Sequence, residues 1–410
     1  MTGVLHRGVC RSVRALSWPV IRWHVTRRVV GVEGLENLPE SGGFVLAPNH
    51  ASYYDHFLLL TVLRAVRPDP LWFLTKAEAF ASPPSRVWHE AWRSIPVDRS
   101  RPSSEMLRTV RALLQGGGML CAYPEGTRGP GDELLPFKDG PFRFADLAGV
   151  PVVPAALVGT AAVLPRGSRR PRRGRVSVAF APPLTAPSDR GRPERTQWLR
   201  DEARAGIGSL LGAAAGQAAP ASATRAAELV DRRIAAKLDG HGRLGRDERR
   251  RLALLTRLAR RGGRDVDLMI QAARLRGLRA LSAPRPLRAV LAAPVGPALR
   301  RALRHQPDHP LGNYLLGRWH LTVPRLLGGG SSRALTRFER SDSCSVPGDT
   351  RAMAALAETH LGLGDVDAAR AALTSVIART SPEGRGVGRI ERATRTLSEL
   401  EPASAGRGGA

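Results

Sequence analysis

Hydrophobic and polar positions in the first half of the chain alternate between two periods. Phe44-Val45-Leu46-Ala47 is a short, wholly apolar run of the kind that forms a buried strand, and Leu71 to Leu74, Met119 to Tyr123, Val150 to Val158 and Val176 to Phe180 repeat the signal. Pro151 and Pro154 interrupt the fourth of these runs. Phe57 to Val66 and Ser103 to Gln115 predict helices between the strands, the second capped at Ser104 and ended by Gly116-Gly117-Gly118. Strand and helix in turn predict an α/β layered domain over residues 31–211.

Beyond that point the pattern changes. Residues 212–224 are mostly Ala, Gly, Pro, Ser and Gln without apolar periodicity, which predicts a linker. From 225 to 400 leucines and alanines recur at helical spacing, as at Leu252, Leu255 and Leu258 and again at Leu268, Ala272 and Leu275. No run alternates at the strand period, so this half predicts an all-helical domain. Residues 401–410 are mostly Gly, Ala and Ser and predict a disordered tail. Inside the helical half, Met353, Leu356, Ala357, His360, Gly364, Ala369 and Leu373, followed by Pro382, resemble a tetratricopeptide repeat. An earlier copy runs through Leu316-Gly317, His320, Ala334 and Phe338, lengthened by the loop at Gly328-Gly329-Gly330.

The first 30 residues mix Val13, Leu16, Trp18, Ile21 and Trp23 with Arg11, Arg14, Arg22, Arg27 and Arg28. Such a basic amphipathic segment suits a membrane interface, where aromatic rings sit at headgroup level and arginines meet phosphates. A basic helix packed on the next domain is the other reading, and Pro19 is expected to break any single helix. Arg22, His24, Arg27 and Arg28 interrupt the apolar stretch too early for a membrane span, and no convincing signal peptide is present.

A chain of 410 residues with 42% hydrophobic content is long enough for two cores. Three cysteines, Cys10, Cys121 and Cys344, imply no disulfide framework and favour a reducing compartment. The formal charge of +27 is almost entirely arginine. It reads either as attraction to anionic partners, such as phospholipid headgroups or an acidic carrier protein, or as the base composition of a GC-rich genome. Nucleic acid is not an expected partner, because no recognition motif accompanies the charge.

The chemistry concentrates in two stretches. His50, in Asn49-His50-Ala51-Ser52-Tyr53-Tyr54-Asp55, follows a strand and precedes an apolar run, and a histidine paired with a carboxylate is how a general base is held. On a continuous helix residues five apart sit about 140° apart, so pairing requires His50 to lie in the loop and fold back on Asp55. Ser52 to Asp55 also reads as a capping box, which would make Asp55 structural. The second stretch is Tyr123-Pro124-Glu125-Gly126-Thr127-Arg128, where glycine permits close approach to an anion and arginine offers a bidentate fork to phosphate. No serine nucleophile elbow, metal-spaced His/Cys/Glu set or nucleotide-cradling glycine loop is found, so metal and cofactor are both read as none.

These two stretches, with Ile95-Pro96-Val97-Asp98-Arg99, Phe137-Lys138-Asp139-Gly140-Pro141-Phe142-Arg143 and Val150-Pro151-Val152-Val153-Pro154, resemble in order the blocks of the phospholipid/glycerol acyltransferase superfamily. The resemblance runs from about residue 25 to about residue 190. It departs at Arg93, where the family usually has glycine, and at Tyr123, where phenylalanine is commoner. It implies His50 as general base with Asp55, and an acceptor pocket formed by Arg99, Glu125, Gly126, Thr127, Arg128 and Lys138. Glu125 by resemblance holds the acceptor glycerol or the arginines around it; a purely structural Glu–Arg pair is the competing view. The expected reaction moves a fatty acyl group from an acyl-CoA or acyl carrier protein thioester to a lysophospholipid, foremost 1-acyl-glycerol-3-phosphate, giving phosphatidic acid. Another lyso-lipid or polar acceptor is the alternative, as is an inactive acyltransferase-like scaffold. The expected setting is the cytoplasmic face of a membrane, peripherally associated, with the repeats binding a protein partner.

Overall fold

A computed structural model of the chain describes residues 3–98, 103–131, 133–168, 170–215, 220–239, 244–259, 265–380 and 387–400. Arg99, Pro382 and the expected tail at 401–410 lie outside the described residues. Two compact units divide the chain, the first comprising 1–229 with 250–263 and the second 230–249 with 264–410.

The first unit runs α1 (Gly3–Thr26), β1 (Val29–Glu33), β2 (Phe44–Pro48), α2 (Tyr54–Val66), β3 (Leu71–Lys76), α3 (Pro83–Ala91), β4 (Ser94–Val97), α4 (Ser104–Gln115), β5 (Met119–Cys121), α5 (Gly140–Ala148), β6 (Val152–Val158), α6 (Thr160–Val163), β7 (Val176–Phe180) and α7 (Arg192–Ala215). Its seven strands form one sheet in the order β1-β7-β6-β2-β5-β3-β4. All neighbours are parallel except β6 and β7. The apolar run of β2 is buried throughout because the strand is central: Leu46 lies opposite Cys121 of β5 on one side and Val153 of β6 on the other.

Alternation along the strands sends Val45, Ala47, Leu120 and Ala122 into one layer, where they meet Val110 and Leu114 of α4, Phe142 of α5 and Leu199 and Ala203 of α7. Each valine, leucine or phenylalanine among them, taken fully out of water, contributes about 1.5–3 kcal/mol. At the strand ends remote from the two motif loops, the buried Arg67 ties the connections together. It donates to Asp69 and to the carbonyls of Pro39, Gly42 and Gly117, which lead into β2 and β5. A buried guanidinium needs that many acceptors to offset its desolvation.

Several expectations shift. Pro19 lies inside α1 and does not break it; the helix loses one backbone bond but is held by packing on α2 and α3, with Trp18 against Trp92 and Arg64 over the Trp18 ring. Leu16, Val20 and Trp23 of the same helix stay exposed. The cap of α4 is Ser103, whose hydroxyl accepts from the Met106 N–H, one residue before the expected Ser104. Helices enter the 212–224 segment from both sides, α7 ending at Ala215 and α8 (Pro220–Asp239) beginning at Pro220, because alanine is the best helix former. The unit boundaries also differ from a single cut near residue 211, since 250–263 returns to the first unit.

Beyond α8 the helices are α9 (Arg246–Ala259), α10 (Val266–Leu281), α11 (Arg285–Ala292), α12 (Val295–Leu303), α13 (Pro310–Thr322), α14 (Ser331–Ser343), α15 (Arg351–Leu363), α16 (Val366–Arg379) and α17 (Val387–Leu400). Among the described residues of the second unit there is no strand. Helical hairpins form at both expected places, α13 with α14 and α15 with α16, and Gly364 makes the second turn at φ 81°. A side chain at Gly317 would strike the Phe338 ring at 2.5 Å, which is why this crossing requires glycine.

Candidate active site

Strands β2 and β5 are parallel neighbours, so the two motif loops leave the sheet side by side at its carboxyl edge, where open α/β sheets place their ligands. Asn49 fixes the first loop: its side chain accepts from the Leu157 N–H and donates to the Leu157 carbonyl at the end of β6.

His50 lies in that loop and folds back on Asp55 in the first turn of α2. Its Nδ1 is 2.8 Å from Asp55 Oδ2, the imidazole is 11% exposed and the carboxylate is fully buried. The same oxygen accepts the N–H groups of Ala51 and Ser52 at 2.9 and 3.0 Å, and the Ser52 hydroxyl accepts from the Tyr54 N–H. One carboxylate oxygen thus contacts both the loop-to-helix junction and the histidine ring.

The second loop locks onto the first. Glu125, buried, accepts the His50 N–H at 2.6 Å with one oxygen and the Leu135 N–H at 3.1 Å with the other, while Gly129 donates to the His50 carbonyl. Burial raises its pKa and these backbone donors oppose the rise. Among the described residues both Glu125 oxygens are taken by backbone N–H groups and neither by an arginine, so the side chain holds the histidine's backbone. The Tyr123 ring stacks on His50 at 3.9 Å, and the Tyr123 hydroxyl lies 3.3 Å from Nδ1 of His56. His56 carried no signal in the sequence, since only the stacking of β5 beside β2 brings it here.

Gly126 has φ 70°, which glycine adopts without cost, and its N–H closes a turn onto the Tyr123 carbonyl. The stem of Lys138 lies beside it, 3.6 Å from where a Cβ would stand, with the Lys138 N–H bonded to the Pro124 carbonyl. Arg128 sits over the Tyr53 ring at 4.0 Å, and Thr127 is exposed. Among the described residues neither Arg128 nor Lys138 has a carboxylate partner, so two cations beside the histidine are available to an anion. Arg99 lies outside the described residues.

An open groove of about 1210 Å³ starts at Ala51, next to His50, and runs past Leu157 and Ala161 to Gly208 and Leu211 of α7. Its walls are largely small or apolar, with Glu133, Asp201 and Arg204 as the charged residues of the lining. Elsewhere in this unit, His6, Cys10 and Glu90 bring three ligand-type atoms within 4.8 Å of one another. Sequence spacing gave no hint of that set, because Glu90 arrives from α3.

Residues 29–158 match the family described as Acyltransferase. A chloroplastic 1-acyl-sn-glycerol-3-phosphate acyltransferase of Brassica napus is 35% identical over 140 residues, which are 33% of this chain and 39% of that protein. The Bacillus subtilis protein of the same description is 29% identical over 155 residues, 38% of this chain and 73% of that one. The crystal structure of the 1-acyl-sn-glycerophosphate acyltransferase of Thermotoga maritima has a TM-score of 0.38 and 24% identity, covering 50% of this chain and 81% of that chain. Against the first two curated relatives, the chain spans 39% and 38% of their length. Across residues 29–158, then, this chain is similar to the acyltransferase family.

Proposed function

We propose that the chain is an O-acyltransferase that moves a fatty acyl group from a thioester of CoA or acyl carrier protein to the free hydroxyl of 1-acyl-glycerol-3-phosphate, giving phosphatidic acid. The observation that carries the reading is the His50–Asp55 pair at 2.8 Å beside two cations without carboxylate partners. Asp55 accepts the proton on Nδ1, which leaves Nε2 to take the proton of the acceptor hydroxyl as its oxygen attacks the thioester carbon. The tetrahedral intermediate collapses by breaking the carbon–sulfur bond, and the imidazolium returns its proton to the leaving thiolate. Asp55 stabilises that transient positive charge. Arg128 and Lys138 hold the acceptor phosphate, and the groove from Ala51 to Leu211 accommodates an acyl chain.

Leu16, Val20 and Trp23, 78%, 64% and 54% exposed among the arginines of α1, suit peripheral attachment to an anionic membrane surface on its cytoplasmic side. None of the described helices is long and apolar enough to cross a membrane. The hairpins of the second unit serve, in this reading, as a tetratricopeptide-type partner-binding module.

The test is an assay of the full chain with 1-acyl-glycerol-3-phosphate and a panel of acyl thioesters, read by lipid mass spectrometry. Phosphatidic acid is the expected product, and no acylated product with any thioester would remove the proposal. Arg128→Ala should raise KM for the acceptor more than for the thioester, with partial recovery in Arg128→Lys because the bidentate fork is lost. Equal effects on both substrates would make Arg128 a fold residue.

A further inference from the structure

The second unit carries a cleft of about 530 Å³ where α12, α13 and α14 meet, and five arginines line it: Arg300, Arg301, Arg304, Arg337 and Arg340. Among the described residues only Arg340 has a carboxylate partner, Asp308 at 2.9 Å. Arg337, half-buried, gives its hydrogen bond to the amide oxygen of Asn313, a neutral acceptor. Arg300 is held over the face of the buried Trp319 at 5.2 Å, which orders its guanidinium before any ligand arrives. Leu303 and Leu316 form the apolar part of the lining and weaken the solvent screening of those charges.

Chance clustering in an arginine-rich chain accounts for a basic convex surface, where each side chain turns away into water. A concave wall of five guanidiniums with one carboxylate is different, because their mutual repulsion is uncompensated. Burial first, then Arg340 and Arg300, lower the pKa of Arg337, and His320 close by is likewise lowered by burial and by Arg300 and Arg337. An anion relieves this repulsion. A cleft this small suits a compact, multiply charged group, and planar guanidinium forks match phosphate oxygens in pairs.

We infer that the cleft between α12, α13 and α14 is a phosphate-binding site, separate from the acceptor pocket of the first unit. Its ligand presents a phosphomonoester or diphosphate, borne by a soluble molecule or by a lipid headgroup. The site gives the helical unit a ligand of its own, independent of any protein it binds.

The experiment titrates inorganic pyrophosphate into the full chain by calorimetry, in an Arg128→Ala/Lys138→Ala background so that the active-site cations do not report. Saturable one-site binding is expected. Arg304→Gln, an exposed position without a carboxylate partner, and the Arg300→Gln/Arg337→Gln pair should weaken it at least about tenfold, roughly 1.4 kcal/mol. Arg288→Gln, elsewhere on the unit, should leave it unchanged. Flotation with vesicles containing phosphatidic acid, against vesicles of equal charge made with phosphatidylglycerol, separates the sources. Selective capture of the first that Arg304→Gln abolishes identifies a lipid phosphate, and pyrophosphate binding without such capture identifies a soluble one. The inference is overturned by the absence of both, by an equal loss in Arg288→Gln, or by an acidic peptide outcompeting pyrophosphate at equal concentration.

Discussion

Asp55 Oδ2 accepts the His50 ring at 2.8 Å and, with the same oxygen, the N–H groups of Ala51 and Ser52 at 2.9 and 3.0 Å. The atom that orients the base also fixes the chain on which the base is mounted. His50→Ala should therefore lower turnover by about 10²–10⁴ with little change in melting temperature. Asp55→Asn should lose about 10⁴ in turnover and also melt earlier, since charge-assisted bonds to two backbone donors become neutral ones. Steady-state kinetics alongside calorimetric melts separate the roles. Turnover retained with an earlier melt would reduce Asp55 to a cap; turnover lost with an unchanged melt would remove its role at the junction.

What the sequence revealed about this site was local. Strand runs, the loop position of His50 and the turn at Gly126 are set by neighbours within a few residues. The hold of Glu125 on the His50 and Leu135 backbone N–H groups was not legible, because backbone donors leave no mark in composition. Arg67 stayed hidden for a like reason: three of its four acceptors are the backbone carbonyls of Pro39, Gly42 and Gly117, and the fourth is an oxygen of Asp69. β1 and β4 were missed because they are only partly buried and lack the unbroken apolar run that marks the fully buried β2. α1 persisted through Pro19 because tertiary packing outweighs one lost hydrogen bond.

Among the described residues Arg93 is the one non-glycine with positive φ, at 58°, and it stands where the resembled family usually has glycine. It turns α3 into β4, with its N–H bonded to the Glu90 carbonyl and its own carbonyl accepting from Phe73. The left-handed conformation costs an L residue about 1–2 kcal/mol, while the guanidinium over Trp72 at 5.6 Å returns about 0.5–1 kcal/mol. Arg93→Gly should leave stability within about 1 kcal/mol of the parent, because relief of strain offsets the lost contact and the added chain entropy. Arg93→Val should be clearly less stable than Arg93→Gly in urea unfolding, since a branched side chain tolerates positive φ least. Equal midpoints for the two variants would show that the turn stores no strain.

His56 gives the fold a pH dependence of its own. Its ring packs between Phe73 at 4.7 Å and Tyr123 at 5.1 Å, and burial, reinforced by nearby His50 and His89, pushes its pKa down to about 3. A histidine lower in the folded than in the unfolded chain stays neutral on folding, so its contribution is fully present above the unfolded value near 6.5 and is lost as pH falls toward 3. Spread over that window the loss amounts to as much as about 4 kcal/mol, because the unfolded chain takes up a proton that the folded one refuses. His56→Phe keeps the ring packing and removes the titration. Its stability should sit slightly below the parent at pH 8, where the Tyr123 hydroxyl loses its partner, and fall less steeply between pH 6.5 and 3. Urea midpoints measured every half unit of pH test the difference between the two curves, which cancels the other titrating groups. Parallel curves would mean that His56 takes up its proton as readily in the folded chain as in the unfolded one.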